Sequence, residues 1–309
     1  MIPALDSADT IVAAVASALD QDYEGPIDVV VACPPGDPTR DALAPFAGRR
    51  VTIVANTSGG TAAGLNAAIA ACDGEIVARL DAHAAFPPTY LRRAVEILAE
   101  TGADNVGGVQ AARGDTPMQR AVAMAQTTPL GVGDARYRLG GEPGPVDTVY
   151  LGVFRREALD RVGGFDTTMK RNQDYELNLR LRRSGGVVYF HPDLRVEYRP
   201  RSSLWRLWRQ YWEYGTWRRV TVRTHPGSLR WRQVLPPVLV LALIGSAGLL
   251  LTPWPLSGAI VPAVYATALL AAGVGLLVRR RDPAALLAPA ALLVMHLAWG
   301  AGFMYGRGR

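Results

Sequence analysis

The sequence predicts an α/β domain with a mostly parallel, Rossmann-like sheet, followed by a C-terminal region of transmembrane helices. Two observations support this fold class. Residues 1–233 alternate between short strand-like runs and longer helix-like runs, which is typical of a parallel sheet covered by helices on both faces. Residues 234–304 are apolar and carry almost no charge outside residues 279–282, which indicates membrane helices.

The first part of the chain contains a regular β/α alternation. The strand-like runs are residues 27–33, 51–54, 75–80 and 105–109. The helix-like runs are residues 9–19, 38–46, 61–72 and 89–100. One helix-like run separates each pair of consecutive strands, which is the crossover connection that parallel strands require.

A different pattern begins after residue 146. We expect a strand at residues 148–154, a helix at 155–161, a turn around Gly163 and Gly164, and a helix at about 173–183. Two strand-like pieces follow at residues 187–190 and 194–198. The soluble domain is therefore predicted to cover residues 1–198.

Three segments of the C-terminal region are long and apolar enough to cross a bilayer: residues 234–251, 259–278 and 284–303. Three such runs in close succession argue against the alternative of buried core helices. The loop 252–258 lacks Lys and Arg, whereas residues 279–281 are all arginine, so the positive-inside rule places the arginines on the cytoplasmic face. Three spans would leave Arg307 and Arg309 outside, so the sequence leaves open whether the last segment crosses fully.

The N-terminus and the cysteines favour a cytoplasmic, reducing setting for the soluble domain. The N-terminus is neither basic nor a long apolar run, so we expect no secretory signal before the domain. Cys33 and Cys72 form neither a disulfide framework nor a metal-binding spacing.

Asp81 and His83 follow the predicted strand at residues 75–80. In an extended chain, side chains two positions apart lie on the same side, and a carboxylate and an imidazole there could hold a hard cation. Such a cation stabilises a departing diphosphate, and the imidazole would favour Mn²⁺ over Mg²⁺. The alternative is that Asp81 caps the following turn and His83 is incidental. The spacing does not decide between the two interpretations.

A second candidate lies at the start of the helix predicted for residues 173–183. Asn172 has the character of an N-cap, which puts Asp174 in the first turn, near the positive end of the helix dipole. Asp174 and Glu176 suit a helix start in any protein. The functional alternative is that Asp174 is a general base for an attacking hydroxyl. Local sequence leaves both open.

Residues 199–232 contain nine arginines, one acid and five of the seven tryptophans. On a helix, an aromatic stripe and a polar arc separate. The stripe holds Leu204, Trp205, Trp208, Tyr211, Trp212 and Gly215, and the arc holds Arg206, Arg209, Gln210 and Glu213. Because the segment immediately precedes a membrane segment, we favour interfacial helices facing anionic headgroups over nucleic-acid binding.

Residues 56–66 form a glycine-rich turn at the start of a predicted helix. The glycines at 59 and 64 have the spacing of a P-loop, but Leu65 and Asn66 stand where Lys and Ser or Thr are required. The glycine fingerprint of dinucleotide-binding proteins does not occur after the first strand. Such a turn can offer backbone N–H groups to a phosphate, but most are only turns.

Taken in order, these pieces resemble glycosyltransferase family 2, especially its membrane-anchored bacterial members of the succinoglycan-biosynthesis type. The matching stretches are residues 3–23, 29–39, 56–69, 74–83, 149–166, 173–185 and 209–219. They cover nearly the whole soluble domain in the order of the family. Seven stretches in register make the resemblance specific.

The resemblance implies a GT-A type nucleotide-diphosphosugar transferase fold and inverting, metal-dependent sugar transfer. Asp81-Ala82-His83 stands at the family's Asp-x-Asp motif, which makes Asp81 and His83 the metal ligands for Mn²⁺ or Mg²⁺ and gives Asp81 a donor contact. Asp174 stands at the family's proposed base, in the pair Gln173-Asp174. Asp37 matches a position that shapes the donor pocket.

Further residues follow from the same resemblance. Asn66 matches another position that shapes the donor pocket. Gln210, Trp217 and Arg218 form a loose version of the family's Gln-x-x-Arg-Trp element and, with Gln173, belong to the acceptor and diphosphate side. The implied partners are a nucleotide-diphosphosugar, a lipid-linked or growing-glycan acceptor and the membrane, without nucleic acid.

The resemblance also implies a location and a domain order. We expect a multi-pass protein of the bacterial inner membrane with a cytoplasmic catalytic domain, acting in exopolysaccharide or cell-envelope glycan synthesis. The domains would be a catalytic domain at 1–198, interfacial helices at 199–233, about three membrane helices at 234–304 and a tail at 305–309.

The sequence departs from the family pattern at several positions. His83 replaces the second Asp of the metal motif, and Gln173 replaces the Glu before the base. Ala32 stands where many members have an Asp that reads the nucleotide base, and Leu65 where many have an Arg. Most of the family's first strand is absent, so we expect the natural start to lie upstream of residue 1.

Two other function classes follow from these departures and from the membrane region. A catalytically degenerate relative could serve as a scaffold in a polysaccharide-assembly complex. A transporter is less favoured, because the predicted spans contain no Asp, Glu, Lys or Arg and offer little pathway beyond His296.

Overall fold

The computed structural model describes residues 1–253 and 255–308, and the chain forms two compact units. The first consists of Met1–Ala111 with Gly140–Tyr198, and the second of Ala112–Leu139 with Arg199–Arg309. The first unit ends where the sequence placed the end of the soluble domain. Residues 112–139 group with the second unit, which the sequence pattern does not indicate. Arg309, the end of the predicted tail, lies outside the described residues.

The elements are numbered in chain order. The strands are β1 (Ile2–Pro3), β2 (Val29–Cys33), β3 (Val51–Ala55), β4 (Ile76–Ala78), β5 (Asn105–Ala112), β6 (Gly144–Pro145), β7 (Tyr150–Arg155) and β8 (Val188–Tyr198). The helices are α1 (Ala8–Leu19), α2 (Thr39–Ala42), α3 (Thr61–Ala70), α4 (Tyr90–Thr101), α5 (Pro117–Gln126), α6 (Pro129–Val132), α7 (Arg136–Leu139), α8 (Arg156–Val162), α9 (Gln173–Arg183), α10 (Leu204–Thr224), α11 (Trp231–Leu249), α12 (Pro255–Arg280) and α13 (Ala288–Tyr305). Two short 3₁₀ helices cover Ala44–Phe46 and Pro283–Leu287.

The sheet of the first unit has a parallel part and an antiparallel part. Strands β1, β2 and β3 lie side by side and pair in parallel. The second part has the order β4-β7-β5-β8-β6, in which β7 runs antiparallel to both β4 and β5. Met1 joins the parts, because its amine donates to Ala78 O at 2.8 Å and its carbonyl accepts from Leu80 N at 3.0 Å.

The prediction of a mostly parallel sheet is therefore wrong for the second half, where the sheet is mixed. The four β/α units end with β5, and the chain reaches β7 through residues 113–149 rather than through one crossover helix. It then enters between β4 and β5 against the direction of both. The two strand-like pieces predicted after residue 186 form one strand, β8, in which buried Leu194 and Val196 alternate with exposed Arg195 and Glu197.

Two apolar layers cover the faces of this sheet. One contains Ile11 of α1 and Ile97 of α4, and the other contains Leu65 of α3 and Leu177 of α9. Burying one such side chain fully contributes about 1.5–3 kcal/mol. Gly108 in β5 is required by close packing, because a Cβ there would overlap the carbonyl group of Leu194. These layers fix the ends of β4 and α9.

The second unit contains the helices that the sequence assigned to the membrane region. α11, α12 and the segment Pro283–Tyr305 are each long and apolar enough to cross a membrane. α10 is one helix of 21 residues, which agrees with the helix that the sequence analysis assumed for the aromatic stripe. Its faces differ from the prediction: Trp205 is 68% exposed, whereas Gln210 from the predicted polar arc is buried. α13 covers the side of α10 that carries Leu207 and Tyr211, so packing rather than polarity selects the buried face.

Candidate active site

Asp81 lies just beyond β4, where the strand continues as irregular extended chain. Arg79 N donates to Gly152 O of β7 at 3.0 Å, and Leu80 is buried in the core. The expected extended geometry through His83 is wrong, because residues 82–83 form a turn in which Ala84 N donates to Asp81 O at 3.0 Å. The packing of Ala82 and Ala84 in the core folds the chain at this point. The two candidate ligands therefore do not share one side of a strand.

Asp174 is the second residue of α9, which begins and ends where the sequence predicted. Asn172 occupies the N-cap position with a left-handed φ of 62°. The partial positive charge at the start of α9 favours an anionic carboxylate at this position. The helix start therefore suits Asp174 as an ionised group.

Arg79 connects the two carboxylates. Its Nε and Nη2 atoms donate to Asp81 Oδ1 at 3.1 and 2.9 Å, and its Nη1 atom donates to Asp174 Oδ1. Arg79 itself is only 6% exposed. A buried guanidinium with two charged partners is strongly held, because charge-assisted hydrogen bonds are about twice as strong as neutral ones. The structure thus brings the predicted base and the predicted donor-binding Asp to one cation.

The charged groups of this cluster change one another's pKa values. Burial alone would lower the pKa of Arg79, but Asp174 and Asp81 raise it above its usual value, so Arg79 stays cationic. The Asp174 side chain is 42% accessible to solvent, and protein atoms cover the rest of it. This burial raises the pKa of Asp174, and Asp81 adds to the rise while Arg79 opposes it. A carboxyl group with a raised pKa is a better proton acceptor once ionised.

Buried polar groups hold the start of α9. Arg180 donates to both carboxylate oxygens of Glu176, at 2.6 and 2.7 Å, and to the carbonyls of Val162 and Gly164. Gln173 is buried, and its Oε1 atom has no hydrogen-bond partner within the described residues. The Glu176–Arg180 pair ties α9 to the turn after α8, which fixes the direction of the first turn of α9.

Asn66 contacts that same turn. Its Nδ2 atom donates to Phe165 O at 2.8 Å, and its Oδ1 atom accepts from Phe165 N at 2.8 Å. Both ends of the amide are thus used to hold backbone. Its place in a donor pocket stays a prediction.

Asp37 also holds backbone. Its Oδ1 accepts from Thr39 N at 2.8 Å and its Oδ2 from Asp6 N at 3.0 Å. Burial would raise the pKa of Asp37, but the hydrogen bonds from Thr39 and Asp6 outweigh it and lower the pKa. Asp37 therefore joins the loop after β1 to the turn after β2, and its donor contact stays a prediction.

The residues present fit a metal ion only if the substrate supplies further ligands. Among the described residues, no group of three or more His, Cys, Asp or Glu side chains is placed to hold a metal ion. Asp81 offers a carboxylate, and His83, two residues later in the chain, is exposed. Mg²⁺ is commonly bound by one or two carboxylates together with substrate phosphates. Asp81 fits that arrangement, with His83 as the second predicted ligand.

The remaining predicted residues lie on α10 in the second unit. Trp217 and Arg218 are buried, and Gln210 Nε2 donates to Tyr214 Oη at 2.9 Å. The buried face of α10 thus includes the predicted Gln, Trp and Arg. Their acceptor role stays a prediction.

Comparisons with known proteins decide the family. The model of glycosyl transferase family 2 matches residues 1–163. The succinoglycan biosynthesis protein ExoA of Rhizobium meliloti (strain 1021) is 35% identical over 258 residues, which cover 82% of this chain and 77% of that protein. The chain belongs to glycosyltransferase family 2.

Solved structures agree with this family fold. A mannosyltransferase of Pyrobaculum calidifontis, PcManGT, in complex with GDP-Man and Mn²⁺, aligns with a TM-score of 0.58 at 23% identity, covering 96% of this chain and 85% of that one. S. aureus TarS 1-349 in complex with UDP aligns with a TM-score of 0.50 at 14% identity, covering 97% and 89%. The predicted GT-A type fold is confirmed.

Sequence reasoning missed Arg79. A usable signal was present, because Arg79 and Asp81 are two positions apart at a strand end and therefore share a side of the chain. A cation beside a candidate acidic ligand was the feature to notice. Only the fold brings Asp174, 95 residues later, to the same guanidinium.

Proposed function

We propose that this glycosyltransferase moves a sugar from a nucleotide-diphosphosugar to a lipid-linked or growing-glycan acceptor at the cytoplasmic face of the membrane. The reaction is inverting and metal-dependent and serves exopolysaccharide or cell-envelope glycan synthesis. The observation that carries the proposal is the cluster of Arg79, Asp81 and Asp174, which contains the two carboxylates that the family assigns to the diphosphate and the base. The succinoglycan relative supports the pathway class.

The residues of the cluster have distinct tasks. Asp81 and His83 would hold Mn²⁺ or Mg²⁺ together with the donor diphosphate, and the metal would stabilise the negative charge of the leaving group. Asp174 accepts the proton of the acceptor hydroxyl as that oxygen attacks the anomeric carbon from the face opposite the diphosphate. The PcManGT complex with GDP-Man and Mn²⁺ and the TarS complex with UDP support a nucleotide-sugar donor.

The donor base must be read by residues other than those the family commonly uses. Ala32 lies in β2 and Leu65 in α3, and both are fully buried in the apolar core. Neither side chain can hydrogen-bond a base. The identity of the nucleotide is therefore a question for experiment.

A donor panel tests the function. Detergent-solubilised full-length protein is incubated with Mn²⁺ or Mg²⁺ and a set of uridine, guanosine and thymidine diphosphosugars, and released nucleoside diphosphate is measured. We expect metal-dependent release from one preferred donor. Absence of release from every donor, with and without membrane extract as acceptor source, would favour the non-catalytic scaffold instead.

A further inference from the structure

Arg79 lies between the carboxylates of Asp81 and Asp174 and neutralises part of their negative charge when no donor is bound. It takes two hydrogen bonds to Asp81 Oδ1 and one to Asp174 Oδ1, and it is almost fully buried. Without it, two carboxylates would lie near each other in a partly dehydrated cleft. Such a pair is a natural ligand set for a divalent cation even when no substrate is present.

The guanidinium opposes cation binding in two ways. It occupies Asp81 Oδ1, which a cation bound by both carboxylate oxygens would also use, and its positive charge repels a cation brought to the same carboxylate. Among the described residues, no group of three or more His, Cys, Asp or Glu side chains is placed to hold a cation against this repulsion. A donor diphosphate adds two negative charges and several oxygen ligands, which reverses the balance.

We propose that Arg79 is a positioning residue that makes metal binding depend on the donor and that holds the Asp174 carboxylate in place for proton transfer. This inference rests on the proposed function. When the donor and metal engage Asp81, the Nη1 contact to Asp174 can persist, because it uses a different nitrogen from the two that contact Asp81.

The test compares Arg79→Gln with wild type by Mn²⁺ binding, followed by electron paramagnetic resonance of the free ion. Without nucleotide, we expect the variant to bind Mn²⁺ at least about tenfold more tightly, because the competing cation is gone. With an excess of the nucleoside diphosphate of the preferred donor, the two proteins should bind Mn²⁺ similarly. Turnover of the variant should fall with little change in donor KM.

Three further variants sharpen this test. Arg79→Lys keeps the charge but cannot span both carboxylates, so it should bind donor-free Mn²⁺ like wild type while turning over slowly. Arg92→Gln removes an arginine that is 46% exposed and pairs with Asp22, and it should match wild type throughout. Arg79→Met, with an apolar side chain, replaces Arg79→Gln if the latter does not fold.

The outcomes separate the two proposals. Donor-free Mn²⁺ binding by folded Arg79→Gln or Arg79→Met that is no tighter than wild type overturns the role of Arg79. Wild-type protein that binds Mn²⁺ neither alone nor with any nucleoside diphosphate overturns the metal-dependent function itself, and the inference with it.

A second inference concerns the last apolar helix and rests on different observations. α13 runs parallel to α10 in close contact. Gly215 of α10 lies against the carbonyl of Trp299, and Gly302 of α13 lies against the carbonyl of Trp212, so that a Cβ at either glycine would collide with backbone. Thr216 Oγ1 also donates to Gly302 O at 3.3 Å.

The α10 helix cannot lie in hydrocarbon. It carries charged residues along its whole length, and charges inside a bilayer are costly. These residues are Arg206, Arg209, Glu213, Arg218, Arg219 and Arg223. A helix in backbone contact with α10 over several turns must lie at nearly the same depth as α10.

α13 differs from α11 and α12 in its surroundings. Half of its most apolar stretch is buried, against 17% for each of the other two. α13 packs on α5 and α6 as well, and His296 Nε2 donates to Leu130 O at 2.8 Å. In contrast, α11 and α12 expose large apolar side chains such as Leu241, Ile244 and Ile260. These are the surfaces that lipid tails cover.

We infer that α11 and α12 form the membrane-crossing hairpin and that α13 lies with α10 at the interface on the side of residues 279–281. The segment Pro283–Tyr305 is therefore long enough to span but does not. This arrangement returns Arg307 to the cytoplasmic face, as the positive-inside rule favours.

Cysteine accessibility tests this topology in the full-length protein, with Cys33 and Cys72 replaced by Ala. Thr252→Cys, Arg281→Cys and Arg307→Cys are labelled with a membrane-impermeant maleimide in spheroplasts and in inverted vesicles. We expect Thr252→Cys to react in spheroplasts, and Arg281→Cys and Arg307→Cys to react only in inverted vesicles. Reaction of Arg307→Cys in spheroplasts, together with Thr252→Cys, would establish three spans and overturn the inference. If the Ala background is unstable, a fluorescent protein that folds only in the cytoplasm can be fused after residue 309. Fluorescence would then place this end in the cytoplasm, and its absence would place it outside.

Discussion

Arg79 changes the character of the carboxylate pair around which the site is built. Asp81 and Asp174 would repel each other as two isolated anions, but the guanidinium between them leaves the cluster with one negative charge in excess. The pKa of Asp174 stays raised because burial outweighs the attraction of Arg79. At the scale of single residues, the candidate site is thus an ion-paired cluster of two carboxylates and one guanidinium.

The change Asp174→Asn tests the base. The amide keeps the size of the side chain but cannot accept a proton, so turnover should fall by about 10²–10⁴-fold. Nucleoside diphosphate binding in the presence of Mn²⁺ should be largely retained, as measured by calorimetry. Asp160→Asn on the exposed side of α8 is the control. Turnover by Asp174→Asn at the wild-type rate would remove Asp174 from the mechanism.

The change Asp37→Asn tests the backbone-holding role of Asp37. At pH 7 it should lower the free energy of unfolding by about 1–3 kcal/mol, because one of the two backbone N–H groups that donate to Asp37 loses its acceptor. The pKa of Asp37 is lowered in the folded protein, so this contribution is present above the unfolded-state pKa and is lost as pH falls through the folded-state pKa. Urea unfolding at pH 7 and in acid checks both statements. Asp41→Asn, which is exposed, should have little effect, and an equal deficit at all pH values would contradict the charge argument.

At the scale of elements, helix-to-loop contacts position Asp174, the proposed base, together with the helix that carries it. Arg180 of α9 binds the carbonyls of Val162 and Gly164, and Asn66 of α3 binds both backbone groups of Phe165. These contacts hold the turn after α8 against two helices. The position of that turn therefore determines where α9 begins.

The change Asn66→Ala tests this arrangement. Loss of both hydrogen bonds to Phe165 should lower the free energy of unfolding by about 1–3 kcal/mol and reduce kcat more than it raises donor KM. Asn66→Asp keeps the acceptor but not the donor, so it should give an intermediate result. A large rise in donor KM with an unchanged unfolding midpoint would instead establish the direct donor contact that the sequence predicts.

At the scale of the whole molecule, the buried core of the first unit contrasts with the exposed apolar helices of the second unit. The first unit has an ordinary buried core, whereas α11 and α12 expose most of their apolar side chains. In water such surfaces would aggregate, and in a bilayer they are satisfied. In the proposed membrane arrangement, the arginines of α10 and residues 279–281 would lie at the lipid headgroups.

The change Ile244→Arg tests the lipid-facing surface of α11. Ile244 is 53% exposed, and an arginine at the centre of a span costs about 2.5–3.5 kcal/mol of insertion free energy. We expect a reduced membrane fraction and greater extraction by carbonate. Trp205→Arg on α10, at a site 68% exposed, should remain in the membrane fraction. Equal behaviour of the two variants would contradict the assignment of α11 to the bilayer.

Local signals were enough for part of this structure. Short apolar runs with turn residues between them placed the early strands and helices, because each element's side-chain period is written in adjacent residues. The start of α9 after Asn172 and the three apolar helices were equally local. The family resemblance added the predicted roles of Asp81 and Asp174.

Non-local packing settled the rest. The sequence by itself determined where the helices, most strands and the long apolar segments lie, and it identified Asp81 and Asp174 as candidate site residues. These features depend on residues that are neighbours in the chain. The antiparallel entry of β7, the turn that separates Asp81 from His83, and the ion pairs of Arg79 depend on segments far apart in the chain. So does the pairing of α13 with charged α10, which no apolar run can reveal. Tertiary structure decided these features, because each arises from which surfaces meet and not from the character of any one segment.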